Sequence, residues 1–183
     1  KYQADFVMAD GHKWMLGPEG LGVFYCRQST INKLNLTQYG WHMVEDMGNY
    51  DAPEWTTAKS ARRFECGSPN MLSIHALSAS ISLLLDVGMD TIAKNVIDRG
   101  QYVIDKVQQN PSLTLLTSPD REGNNIIVFK PSNGKTDELF EYLTTHHVVC
   151  AKRGGGIRFS PHFYTPYDTL DRAFSQIEAF FHN

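Results

Sequence analysis

Asp10-Gly11-His12-Lys13-Trp14-Met15-Leu16-Gly17-Pro18-Glu19-Gly20-Leu21-Gly22 is the stretch on which the reading of this chain turns. Two short, mostly apolar runs bracket it, Asp5 to Ala9 and Val23 to Cys26, each of strand length and composition. Both read as core strands, so the stretch between them is a loop joining two core strands. Its glycines let backbone approach a flat ligand closely. Lys13 then stands at the end of a buried strand, where an amine is poorly hydrated and more easily deprotonated. A neutral amine can attack an aldehyde to form an imine, and His12 can donate to a phosphate oxygen. Taken alone, Gly-His-Lys reads as a solvated loop with structural glycines.

Downstream of Asn35 the periodicity fades until Pro69, while glycines, prolines and aromatics become frequent. A long irregular connection of this kind is more often functional than idle. The spacing then predicts a helix over Leu72 to Val87, apolar on most faces and stopped by Gly88. A second helix follows over Met89 to Gln109, with Ile92, Val96, Val103 and Val107 on one stripe and Ile97 and Ile104 beside it. Pro111 closes it. A strand at Asn125 to Lys130, a helix at Asp137 to Thr145 and strands near Val148 and Ile157 come next. Thr165, Pro166 and Asp168 predict the cap and first turn of a last helix, with Leu170, Phe174 and Ile177 buried. The order reads as the tail of one α/β domain followed by a smaller α/β domain, with the boundary between Ser68 and Leu85.

Composition excludes several classes. Charged residues make up 20% and net charge is -3, so no basic surplus attracts nucleic acid. No apolar run is long enough to span a bilayer. Cys26, Cys66 and Cys150 are odd in number and widely spaced, which gives no metal site and no disulfide framework. A reducing cytosol is the natural setting. The chain opens on Lys1 with a strand almost at once, and is therefore expected to be a piece of something longer.

Two further segments carry chemistry. Arg63-Phe64-Glu65-Cys66-Gly67-Ser68-Pro69-Asn70 reads by itself as a turn with a helix cap. In Gly154-Gly155-Gly156-Ile157-Arg158-Phe159-Ser160, a strand would point Arg158 and Ser160 to one face. A fixed guanidinium facing a cleft can hold a carboxylate through two parallel hydrogen bonds. A strand arginine in a surface ion pair is the common alternative.

Taken together, Gly11-His12-Lys13 with Gly20-Leu21-Gly22, the Arg63 to Asn70 element and Arg158-Phe159-Ser160 with Tyr164 resemble the class V aminotransferase family. These are pyridoxal 5'-phosphate (PLP) enzymes of fold type I, and the likeness extends from Asp5 to Phe181. It implies that residues 1–75 are the end of the PLP-binding large domain and 76–183 a small C-terminal α/β domain. It implies that Lys13 holds PLP as a Schiff base and that His12 contacts the cofactor phosphate. Ser68, where the family has threonine, would reach the PLP phosphate of the partner subunit in a homodimer with shared sites. Trp41, from a Gly40-Trp41 pair like that of the kynureninase branch, would also approach the phosphate. Arg158 would bind the α-carboxylate of an amino-acid substrate. Asp10 stands where the cysteine desulfurase branch has serine, and receives a structural role only. Thr165 replaces the usual asparagine.

Within the family, Trp14 and Gly40-Trp41 look most like the isopenicillin-N-epimerase-like branch, next to the cysteine-desulfurase-like one. Persulfide chemistry is disfavoured, because only Lys152 to Ile157 separate Ala151 from Arg158, with no room for a mobile cysteine loop. Cys150 sits in an apolar run that favours an inert thiol. Transamination, epimerisation and lyase or kynureninase-like cleavage stay open. The family's ring-pairing aspartate, stacking aromatic and main phosphate loop lie upstream of the lysine, so this chain by itself is expected to bind PLP weakly and turn over nothing. A non-catalytic binding or dimerisation module derived from the family is the rival reading.

Overall fold

The computed structural model describes residues 2–119, 123 and 125–182. Its chain divides into two compact units, Lys1–Asp86 and Val87–Asn183.

In the first unit, β1 (Phe6–Asp10) and β2 (Gly22–Cys26) pair antiparallel, with Phe6 opposite Cys26 and Asp10 opposite Gly22. The ends of the glycine-rich loop are thus clamped together. Inside it, the Gly11 N–H donates to the Leu21 carbonyl (2.9 Å) and the Gly17 N–H to the Gly11 carbonyl (2.7 Å). The strands are not buried as their composition predicts: Val7, Met8 and Tyr25 are exposed. A two-stranded ribbon has two faces, and among the described residues no second layer covers either. Phe64 reaches it as an aromatic partner, edge-on to Phe24 at 5.3 Å.

The long connection is irregular but closed. Val44 bridges Thr57, the Glu45 N–H donates to the Thr56 carbonyl, and the Ala58 N–H donates to the Met43 carbonyl. Met43 and Ala58 are buried beneath this closure. Asn70 then caps α1 (Met71–Val87), its side-chain oxygen accepting from the Ser73 N–H at 3.1 Å. Only Ser73, Leu77 and Leu84 of α1 are buried. The Ser80 hydroxyl donates to the Leu16 carbonyl at 2.9 Å, and the Leu77 side chain fills the space beside Gly11 and Gly17. These contacts bind α1 to the glycine-rich loop and make it part of the first compact unit.

The second unit starts at Val87, next to Gly88, whose φ of +90° breaks the helical path. It contains α2 (Met89–Gln109), β3 (Leu113–Leu115), β4 (Ile127–Pro131), α3 (Thr136–Thr145), β5 (Ala151–Arg153), β6 (Gly156–Phe159) and α4 (Tyr167–His182). The sheet order is β3-β4-β6-β5, with every pairing antiparallel. Alternation along β4 and β6 buries Ile127, Phe129, Ile157 and Phe159 in one core. Val103, Ile104 and Val107 of α2 and Leu170, Phe174 and Ile177 of α4 complete that core. The Phe129 ring lies 5.1 Å from Phe159 and 6.3 Å from Phe174. Ile97, by contrast, is exposed.

Three local expectations fail for physical reasons. Strand β3 is missed because three residues give too little alternation to read. The strand expected near Val148 starts at Ala151, because the Val148 N–H turns back to the Leu143 carbonyl (2.8 Å) and closes α3. Thr165 does not cap α4: its hydroxyl accepts from the His162 N–H at 3.0 Å. No single helix among the described residues is long and apolar enough to cross a membrane.

Candidate active site

Lys13 follows β1 within the clamped loop, and its carbonyl accepts from the Leu16 N–H at 3.2 Å. Its side chain is 62% exposed and ion-paired with Asp10, which corrects the expectation of a poorly hydrated amine. Hydrogen bonding to Lys13, and then its charge, hold the Asp10 carboxyl below the usual carboxylate range. Asp10, read from sequence as merely structural, is thus the group that meets the Lys13 amine. His12 is exposed beside it.

Trp41 and Ser68 come from segments that sequence spacing leaves unrelated and the fold joins. The Cys66 carbonyl accepts from the His42 N–H at 3.3 Å, and Arg62 Nη1 donates to the His42 carbonyl at 2.9 Å. Gly40 packs so closely that a Cβ there would lie 2.1 Å from the Cys66 oxygen. Gly40→Ala is therefore expected to push the two segments apart and destabilise the protein by about 1–3 kcal/mol, read from denaturant unfolding. An unchanged midpoint would mean that the contact carries no weight. Ser68 itself is exposed, two residues before the Asn70 cap.

Arg63, to which the sequence reading gave no role, holds this region to its neighbours. Its Nη1 donates to Asn32 Oδ1 and its Nη2 to Thr57 Oγ1, both at 2.7 Å. The signal available in sequence was only its place in the Arg-Phe-Glu triplet.

Arg158 lies in the second unit, on the inner strand β6, opposite Val128 on one side and Ala151 on the other. Alternation sends its side chain to the face opposite Ile157 and Phe159. Its Nε is buried with no hydrogen-bond partner among the described residues. A buried charged donor left unsatisfied is costly, and an anion would relieve it. Strands β5 and β6 are joined by Gly154-Gly155, both at positive φ (+65° and +81°), the tight turn such a hairpin requires. Cys150 is half-buried just before β5, and burial pushes its thiol pKa up. A thiol so placed is a poor nucleophile at neutral pH.

The first unit thus carries a primary amine, an imidazole, an indole and a hydroxyl, and the second a strand arginine whose Nε has no hydrogen-bond partner among the described residues. The family model described as aminotransferase class-V matches residues 1–165. The cysteine desulfurase of Escherichia coli O127:H6 is 30% identical over 145 residues, which cover 79% of this chain and 34% of that protein. The uncharacterized aminotransferase YcbU of Bacillus subtilis is 27% identical over 183 residues, covering 98% of this chain and 46% of that protein. The crystal structure of the cysteine desulfurase CsdA from Escherichia coli shares the fold with a TM-score of 0.80 at 18% identity, over 96% of this chain and 45% of that one. The chain spans less than half the length of these relatives.

Proposed function

Because the chain belongs to the aminotransferase class-V family, whose cofactor is PLP, we propose that it forms the C-terminal part of an enzyme acting at Cα of an amino acid, by transamination or epimerisation. The observation that carries this reading is Arg158: an arginine on an inner strand whose buried Nε has no hydrogen-bond partner among the described residues. A carboxylate is the ligand that a planar fork of donors fits best.

The donor set suits the cofactor. Lys13 Nζ is the one amine on the glycine-rich loop, and it can hold the cofactor covalently once it leaves Asp10. His12 and the Trp41 indole offer N–H donors, and Ser68 a hydroxyl, for a phosphate. Ser68 would serve the partner subunit's site in a homodimer. When bound, PLP supplies an electron-accepting ring that stabilises the charge left as a bond at Cα breaks. Arg158 would hold the substrate carboxylate and so fix which bond at Cα is presented. Lys13 Nζ, freed by the incoming amino group, would take and return the Cα proton.

Relatives named cysteine desulfurase favour a second reading, in which a thiol takes sulfur from cysteine. The tight Gly154-Gly155 turn and the raised Cys150 thiol stand against it.

One experiment separates the two. The full-length protein with PLP, given a panel of amino acids in deuterated water, should place deuterium at Cα of its substrate, and Cys150→Ala should keep the rate within about twofold. No exchange with any amino acid would sink the first reading. Sulfide release from cysteine that vanishes in Cys150→Ala would establish the second.

A further inference from the structure

The closed loop of the first unit surrounds a cavity of about 340 Å³, lined by Trp41, Tyr50, Trp55, Asp46 and Glu54 among others, none of them basic. From Met43 to Thr57 the chain carries Glu45, Asp46, Asp51 and Glu54, and no lysine, arginine or histidine. Nothing in the reaction proposed above uses Tyr50, Trp55 or these carboxylates.

We infer that this cavity binds the alkylammonium head of a small molecule, independently of PLP. Trp41, Tyr50 and Trp55 line the cavity, each with part of its surface open to solvent. The face of an aromatic ring carries negative charge density and attracts a cation, most strongly for tryptophan. Tyr39 stands edge-on to Trp55 at 6.1 Å and braces one of these rings. Around the rings, Asp46 and Glu54 add full negative charges. Asp46 spends one carboxylate oxygen on Asn49 Nδ2 (2.8 Å), while Glu54 has no partner among the described side chains. On the side of Asp46 and Glu54, a neutral ligand would displace water from carboxylates with nothing in return. A cation satisfies rings and carboxylates together.

The framework is preformed. The Glu45 N–H to Thr56 carbonyl bond (2.8 Å), the Ala58 N–H to Met43 carbonyl bond (2.8 Å) and the Val44–Thr57 bridge shut the base of the loop. Gly48, at a φ of +101°, turns its tip. The volume lies at the small end for ligand pockets, which span roughly 300–1,000 Å³, so the fit is to a small molecule and not to a folded partner. Trp41 has a single N–H for an anion and a ring face for a cation, so its proposed phosphate contact does not compete with this role.

Calorimetric titration of the full-length protein with choline, ethanolamine and the neutral carbon isostere of choline tests the site. Binding of either amine with the isostere silent is the expected result. Trp55→Leu and Glu54→Gln should each weaken it about tenfold. Circular dichroism of each variant checks that the loop region is still folded. Equal binding of the isostere, full affinity in both folded variants, or no binding of either amine overturns the inference.

Discussion

Lys13→Ala is expected to abolish the visible absorbance band that forms when PLP joins the full-length protein, and to slow Cα proton exchange by at least roughly a thousandfold. The substitution is clean. The lysine side chain is 62% exposed and packs against nothing that its removal would leave hollow. The loop is held instead by the β1–β2 clamp, the Gly11 and Gly17 backbone bonds and the Ser80 contact with Leu16. Its one electrostatic consequence falls on Asp10, whose carboxyl loses the group that holds it below the ordinary range. A melting temperature close to the parent's therefore accompanies the lost band. A band that persists in Lys13→Ala places the covalent attachment elsewhere and removes the basis of the enzymatic reading.

The second large effect is at Arg158. Arg158→Gln should lower kcat/KM for the amino acid by roughly 10²–10³, with most of the loss in KM, because a charge-assisted, two-pronged hold on the carboxylate disappears. Arg158→Lys should recover only part of it, since an ammonium is a point charge without the planar fork. The decisive control is the amine that corresponds to the substrate without its carboxylate: parent and Arg158→Gln should process it equally slowly. A merely structural arginine would behave differently. Its Nε is buried and has no hydrogen-bond partner among the described residues, so its removal should leave the unfolding midpoint unchanged or raise it. Equal losses with the amino acid and the amine would show that Arg158 holds the sheet and not the substrate.

Long, periodic elements were legible in the sequence. The bounds of α2 match the expected Met89 to Gln109, and Leu170, Phe174 and Ile177 are buried on α4 as their spacing requires. A stripe repeated over several turns gives an unambiguous period. What stayed hidden was short or non-local. Three residues of β3 carry too little pattern, and Val148 is diverted by a backbone bond that its apolar neighbours do not announce. In the candidate site, the motifs marked Lys13, His12 and Arg158 individually. The pairing of Lys13 with Asp10 and the joining of Gly40-Trp41 to Cys66 depend on how the loops close, which residue identity does not encode. The hydration of Lys13 was misjudged for a related reason: an apolar strand says what a residue prefers, whereas burial depends on whether a second layer arrives.

That ribbon of β1 and β2 has a practical side. Phe6, Val7, Met8, Val23, Phe24 and Tyr25 all stand open, and among the described residues no further strand pairs with the outer rim of either strand. Greasy surface joined to a free strand border is the template on which chains self-associate. Stocks of this stretch prepared by itself should cloud as they are concentrated, whatever the health of the helical half, and charged substitutions at Met8 or Tyr25 are where colloidal stability could be regained.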